Sequence, residues 1–496
     1  MARSTTVLLS ILSLSLVGIV DAEEEEPDLL NGEFWKAQVL EELIPLWHDH
    51  VRDEEHGAVH MNLSRDWQPQ LPWDKVPAMI SRQVFSFSAA YLLSGEEKYL
   101  EVAREGAEYL LEHAWDQEYG GWFNSLTQSG TPKDSAKTVP LQLYTNVGLA
   151  LYYFTTGDER VRSHIEKSLK IRQQRAYDPE YDGYFYALNR DLSVADDNKS
   201  KHAHYGYVGS LIHLYLATRD ADFLQWEQRL MDLTATRMMD PELGWVYGYH
   251  VKLDRQWRPV PATGEETVMV GAQLTAALAF LRLYHQSGEV KYRDYGESLG
   301  NLAIQQGWDG EGGGWFNFIQ RKAPHAPVPK LQMQNWWVQI YGAFLQLQLY
   351  HITQEKQYLD RFQKMEGFFV RHFIDREYGG FFASVTPEGE FLGDGRKASV
   401  WHTSYHEIEH GLLNYLYLNL YVNRKPVVLH FLLNGGEGPT RHFVSLVDDP
   451  AVEIGGVKIA GETWAEFDAQ ERSVGLPAGD GLRVEVELRP GDSVKR

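Results

Sequence analysis

Asp116-Gln-Glu-Tyr-Gly-Gly121 is an acidic residue opening a short glycine-rich turn, and variants of it recur along the chain. They are Asp53-Glu-Glu-His-Gly57, Asp178-Pro-Glu-Tyr-Asp-Gly183, Asp240-Pro-Glu-Leu-Gly244, Asp309-Gly-Glu-Gly-Gly313 and Asp375-Arg-Glu-Tyr-Gly-Gly380. Successive Asp positions lie 63, 62, 62, 69 and 66 residues apart. A second mark keeps the same beat: Tyr91-Leu-Leu-Ser-Gly95, Tyr153-Phe-Thr-Thr-Gly157, Tyr215-Leu-Ala-Thr-Arg219, Tyr284-His-Gln-Ser-Gly288 and Tyr350-His-Ile-Thr-Gln354, at strides of 62, 62, 69 and 66. A fixed period of this kind marks an array of supersecondary units, none of which can bury its own apolar face. The repeated Asp and Gly themselves read as turn and cap residues.

Between the marks the apolar period is helical. After Gly95, Tyr99, Leu100, Ala103, Ala107, Leu110 and Leu111 share one face, with Glu97, Glu101, Arg104 and Glu108 opposite. Before Tyr91, the stretch Met79–Leu93 is apolar nearly all round, so it is expected to be buried on every side. Each repeat therefore reads as an inner buried helix, a tight turn, an outer amphipathic helix and the acidic loop. Six such hairpins side by side close into an all-α (α/α)6 toroid. The runs Gly121-Trp122-Phe123, Gly314-Trp315-Phe316 and Gly380-Phe381-Phe382 precede short alternating segments, expected as β-hairpins at one mouth.

The toroid is assigned to residues 35–424. Residues 1–22 read as a secretory signal, with Arg3, an apolar core Val7–Val20 and a small-residue site ending at Ala22, which implies a periplasmic or extracellular destination. Residues 23–34 form an acidic leader, and no other run is long and apolar enough to span a bilayer. After Asn423 the pattern alternates as strands do, in Val428–Leu433, Phe443–Val447, Val457–Ile459 and Leu482–Leu488. Residues 425–496 are thus expected as a small β-sandwich-like module that packs on the barrel. The chain has no cysteine, which excludes disulfides, and its formal charge of −22 argues against nucleic acid or an anionic membrane as partner. The 15 Trp and 27 Tyr serve mostly as core, with a share left to stack on sugar rings.

Polar residues at the mouth ends of the inner helices face one shared hollow in such a toroid. They are Arg82; Gln142 and Tyr144; His202 and His204; Glu265 and Glu266; Trp336, Trp337 and Gln339; and Trp401, His402, Tyr405, His406, Glu407 and His410. Arg82, Tyr144 and Tyr341 each lie nine residues before their Tyr mark, and His204 and His406 each lie eleven before a Tyr. Equal depth in equivalent helices groups them in one ring, where histidines beside an arginine point to chemistry.

Four segments carry a resemblance: Ser81-Arg82-Gln-Val-Phe85, Lys199-Ser200 with His204, Asn335-Trp-Trp-Val-Gln339 and Trp401-His-Thr-Ser-Tyr405-His406. Over about residues 35–423 the chain resembles the N-acylglucosamine 2-epimerase and cellobiose 2-epimerase superfamily, which also holds aldose–ketose isomerases. The resemblance implies removal of the proton next to the carbonyl of an open-chain mono- or oligosaccharide, giving an enediolate, with no cofactor and no metal. It implies His406 as a base, Arg82 as the partner of the charged oxygen, and His204 as the ring-opening or hydroxyl-binding group. Gln142, Tyr144, Trp336, Trp337, Trp401, His402 and Tyr405 would then contact the sugar.

The chain departs from that pattern on the fourth inner helix. The family opens it with Gly-His-Asp-x-x-Glu, whereas this chain offers Gly271-Ala272-Gln273 or, in another register, Gly264-Glu265-Glu266, neither with a histidine. Glu266 is the candidate replacement base, with His250 on the preceding loop as another. Further departures are His402 for the family's Lys, Glu407 for its Asn and Tyr341 for its Glu. His406-Glu-Ile-Glu-His410 also fits the helical zinc-peptidase pattern His-Glu-x-x-His, but it falls within the last inner helix and no clear third-ligand segment follows. A glycan lyase or hydrolase on the same toroid, and a sugar-binding protein without turnover, are the other readings.

Overall fold

Pro77–Ser94 has no polar face, and all of its residues but Ser94 are buried in the computed structural model of the chain. The structure describes residues 27–200, 204, 209–247, 253–260, 267–322, 333–437 and 440–491. The helices in chain order are α1 (Gly32–Ala37), α2 (Ile44–His50), α3 (Pro77–Ser94), α4 (Glu97–Tyr109), α5 (Val139–Thr156), α6 (Glu159–Ile171) and α7 (Gly209–Thr218). There follow α8 (Ala221–Leu233), α9 (Val270–Ser287), α10 (Val290–Gly307), α11 (Trp336–Thr353), α12 (Lys356–His372) and α13 (Tyr405–Tyr417). α3, α5, α7, α9, α11 and α13 form the inner ring, and the amphipathic helices between them form the outer one. The all-α toroid expected from the repeat is the fold observed.

Two inner helices touch at Gly148, where a Cβ would fall 1.7 Å from the carbonyl oxygen of Ser81. Five inner–outer hairpins follow one another, but the sixth is split. α1 and α2, joined through a π-helical stretch, are the outer partner of α13, so the two ends of the helical region meet to close the ring. Gly411 on α13 permits that approach, since a Cβ there would lie 2.2 Å from Val39.

Both sequence marks are structural. The Tyr mark ends an inner helix: the N–H of Gly95, Gly157, Arg219, Gly288 and Gln354 donates to the carbonyl four residues back, each in the left-handed region with φ between 57° and 72°. In the acidic loop, Oδ1 of Asp116, Asp178, Asp240, Asp309 and Asp375 accepts the N–H two residues on. Beyond a turn, the loop is an ion pair. Lys75, Lys137, Lys199 and Lys397 precede inner helices and reach Asp53, Asp116, Asp178 and Asp375 at 2.8, 3.0, 3.1 and 2.7 Å. These lysines are 0–1% exposed, so each loop is locked to its inner helix from inside.

Short antiparallel pairs lie at the N-terminal ends of the inner helices, among them Thr267–Met269 with Phe318–Gln320 and Gln334–Asn335 with Ser384–Val385. The opposite ends are covered by the C-terminal module. Its four-stranded sheet runs Val427–Leu433, Leu482–Pro490, Val452–Ile459, Glu462–Thr463, and a three-stranded one runs Thr440–Phe443, Ser473–Leu476, Phe467–Asp468. Val427, Leu429, Phe431 and Leu433 point into the same apolar core as the inner helices, with Phe431 at 5.5 Å from Phe154. His442 Nε2 donates to the Phe154 carbonyl at 2.9 Å, and Arg282 on α9 holds Asp448 at 2.6 Å. The module therefore closes one end of the ring, which leaves the hairpin end for a site. Among the described residues, no helix is long and apolar enough to cross a membrane.

Candidate active site

His406 sits in the first turn of α13, buried among aromatic rings from two inner helices, α11 and its own. Its ring centroid lies 4.7 Å from Tyr405, 5.3 Å from Tyr341, 6.0 Å from Trp336 and 6.4 Å from Trp337. Burial pushes its imidazole down to about 4, and the nearby Arg82 adds to the depression while Glu409 opposes it. A neutral imidazole is the outcome at neutral pH. Its Nδ1 lies 3.4 Å from Glu409 Oε2, and Tyr405 donates its hydroxyl to the other oxygen of Glu409 at 3.1 Å. One turn of helix thus carries the imidazole and the carboxylate that orients it. Glu409 was not singled out from the sequence, although its place three residues after His406 on a helix is the signal that finds it.

Arg82 lies on α3 with its guanidinium 4.7 Å from the Tyr144 ring and 5.3 Å from the Tyr405 ring. It is buried, and among the described residues its Nε has no partner and its Nη1 meets only the sulfur of Met79 at 4.0 Å. A buried cation faced by rings instead of carboxylates keeps its donors for an oxygen that arrives from outside. Arg82, Tyr144, Trp336, Trp337, Tyr405 and His406 are thus brought together. Trp401 stands 74% exposed just before them in the chain.

His204 and Gln142 are not part of this group, and their sequence reading is corrected. Gln142 accepts the Trp122 N–H at 2.7 Å and donates to the Trp122 carbonyl at 2.6 Å. Gln273 grips Val246 and Gln339 grips Trp315 in the same two-bond way. His204 is their counterpart ahead of the third inner helix: its Nε2 accepts the Tyr184 N–H at 3.0 Å and its Nδ1 donates to the Ser200 carbonyl at 2.6 Å. All four lie eleven residues before a Tyr mark. Both nitrogens of His204 are thus engaged, Nε2 with the residue after the acidic loop and Nδ1 with the backbone of its own segment. Equal depth gave His204 and His406 the same height in the ring but different directions.

His402 is buried and turned toward Glu407, with Nε2 at 3.1 Å from its Oε1, while Trp47 donates to Oε2 of the same carboxylate at 2.9 Å. It touches the site through Trp336, its ring 4.5 Å away, so the reading of His402 as a sugar contact becomes one of support for Trp336. His410 pairs with Glu366 at 2.7 Å. The groups of the His-Glu-x-x-His pattern therefore face three separate partners. On α9, Ala272 packs with Met269 and Phe318 under Trp337, and a Cβ at Gly271 would fall 2.3 Å from the Trp337 ring. An apolar cluster occupies the first of the two registers in which the resemblance would expect a histidine. Glu265, Glu266, His250 and His202 lie outside the described residues.

Burial also sets the response of the fold to acid. Desolvation holds His204 and His213 at about 3, and His285, His406 and His442 at about 4, against an ordinary value of 6.5. Below pH 6.5 the unfolded chain takes up protons that the folded one refuses, so stability falls as pH drops toward 4. Each such histidine contributes a slope of about 1.4 kcal/mol per pH unit in that window. Asp116, held down to about 2 by Arg190 and Lys137 despite its burial, acts only below the ordinary carboxylate value of 3.8. Urea midpoints at pH 7.5 and 5 are expected to differ clearly; equal midpoints would contradict this account.

Residues 71–408, well over half the chain, match the profile of the family described as N-acylglucosamine 2-epimerase (GlcNAc 2-epimerase). The cellobiose 2-epimerase of Bacteroides fragilis is 24% identical over 394 residues, spanning 76% of this chain and 97% of that protein. The N-acylglucosamine 2-epimerase of Mus musculus is 25% identical over 389 residues, spanning 74% and 87%. Among solved structures, a D-mannose isomerase superposes with a TM-score of 0.72 at 18% identity, covering 78% of this chain and 99% of the other. The cellobiose 2-epimerase of Spirochaeta thermophila does so with 0.70 at 21%, covering 78% and 96%. The matched span includes α3 with Arg82 and the start of α13 with His406, and it stops short of the module. Repeat, closed ring and matched span agree: the chain belongs to the N-acylglucosamine 2-epimerase family.

Proposed function

We propose that this protein is a sugar isomerase that moves the proton next to the carbonyl of an open-chain aldose, with His406 as the base and Arg82 as the oxyanion partner. The observation that carries the reading is the pairing of a neutral, carboxylate-oriented imidazole with a buried guanidinium that has no anionic partner among the described residues. His406 takes the C2 proton, the C–H electrons form the C1–C2 double bond, and the carbonyl electrons go to O1, where Arg82 meets the charge. Return of the proton to C1, with the O2 hydroxyl proton released as the C2 carbonyl forms and O1 protonated, yields the ketose. One base on one face suffices for that outcome, and the apolar setting of Ala272 favours it over two-base epimerisation. Epimerisation would need a second base on the other face, the role assigned to Glu266 from the sequence. Tyr144, Trp337 and Trp401 supply stacking surface for the sugar. The reading includes export through the signal at residues 1–22, with a saccharide met outside the cytoplasm.

Incubation with aldoses and reducing disaccharides in deuterium oxide, read by NMR, tests the proposal. Deuterium at C2 with ketose formation is the expected result. Exchange with inversion at C2 and no ketose would indicate the epimerase outcome. No exchange on any sugar of the panel, with binding retained, would leave a sugar-binding protein instead.

A further inference from the structure

At the end of the ring away from His406, two inner helices present histidines to the C-terminal module. His285 lies in the last turn of α9 and His351 in that of α11, while Asp449 follows strand Thr440–Phe443 of the module. One ring nitrogen from each histidine and one oxygen of Asp449 all lie within 4.8 Å of one another. His351 Nε2 is 2.9 Å from Asp449 Oδ2, and the two imidazoles stack with centroids 4.9 Å apart.

An ordinary ion pair leaves this cluster incomplete. Among the described residues, His285 Nε2 is buried without a hydrogen-bond partner, and so is Nδ1 of His351, whose side chain is 8% exposed. A buried ring nitrogen left unpaired carries a desolvation cost that a ligand would remove. The third group is held in place. Asp449 Oδ1 accepts the Ala451 N–H at 2.8 Å, Arg472 donates to the Asp449 carbonyl at 2.6 Å, and the adjacent Asp448 is fixed by Arg282 and Gln286. Tyr421 backs the His351 ring at 3.7 Å.

We propose that His285, His351 and Asp449 bind one divalent transition-metal ion of the zinc class, which ties the module to the ring. Two imidazoles and a carboxylate suit zinc, cobalt or nickel; magnesium and calcium favour all-oxygen shells. Bonds of about 2.0–2.2 Å bring tetrahedral donors to about 3.3 Å apart, a contraction of the cluster already present, with water as the remaining ligand. The three ligands come from segments far apart in the sequence, so only the folded chain assembles them, and the ion stabilises the fold. This site is separate from the sugar chemistry and stands or falls without it.

The test uses the full chain, stripped with a chelator, dialysed, and titrated with zinc by calorimetry and by thermal unfolding, with magnesium as control. One zinc per chain at micromolar affinity or tighter, with a raised unfolding temperature, is expected. His285→Gln and Asp449→Asn should each weaken binding by about tenfold or more. Their metal-free unfolding transitions report whether each variant is folded. Cobalt in place of zinc should give a visible absorption band that both variants lose. Failure of the wild-type chain to bind stoichiometric zinc overturns the proposal. So does zinc affinity unchanged in both variants, which would locate the ion elsewhere, for example at His402, His406 and His410.

Discussion

His406→Ala is expected to lower sugar C2–H exchange by about 10³-fold, the middle of the range for loss of a positioned general base. Sugar affinity should change far less, because the rings of Tyr144, Trp337 and Tyr405 and the guanidinium of Arg82 remain. The pH profile carries the same signature. With the imidazole at about 4, the base is neutral across the physiological range, so the acid limb of kcat/KM should fall near pH 4 instead of near 6.5. Glu409→Gln removes the carboxylate beside Nδ1 that opposes the depression, so the acid limb should shift further down while kcat falls and KM holds. Steady-state exchange rates across pH, for wild type and both variants, decide the matter. Full activity in His406→Ala would remove His406 as the base.

Lys75→Met is the substitution expected to harm the fold most among the acidic loops, by about 3–5 kcal/mol. The Lys75 ammonium donates to Asp53 Oδ2 at 2.8 Å, to the Gly57 carbonyl at 2.7 Å and to the Val59 carbonyl at 3.2 Å, which uses all three of its protons. Removing it strands a buried carboxylate, 5% exposed, with no other lysine or arginine beside it among the described residues. Lys137→Met should cost less, since Asp116 keeps Arg190 at 3.0 Å. Unfolding midpoints in urea give the ranking directly. Equal losses at the two sites would mean that the second cation contributes nothing.

The value of these lysines was invisible in the sequence. The Asp and Gly of the loops were legible as turn residues because turn chemistry is local: an Asp side chain reaches the N–H two residues on, and the left-handed position favours Gly. The lysines lie about a third of a repeat further on, at Lys75, Lys137, Lys199 and Lys397, and only the return of the chain into the next inner helix brings them back. The same limit governs the candidate site. Counting back from a Tyr groups His204 and His406 at one offset, but it does not give their partners. His204 shares its register with Gln142, Gln273 and Gln339, and a polar residue recurring at one offset is the sequence signal of a common structural task. His406 instead has Glu409 beside its Nδ1.

The amino-acid sequence alone determined the period, the inner and outer helices, where they end and the change to strands after Asn423, since helical spacing, caps and turns act over a few residues. Tertiary structure alone decided that the ring closes by pairing α1 and α2 with α13, that the module plugs one end, and that Arg82 lies near His406 while His204 takes the Tyr184 N–H. Those outcomes depend on side-chain direction and on burial. Both are set when distant segments pack together, and neither is written into the spacing of residues along one strand or helix.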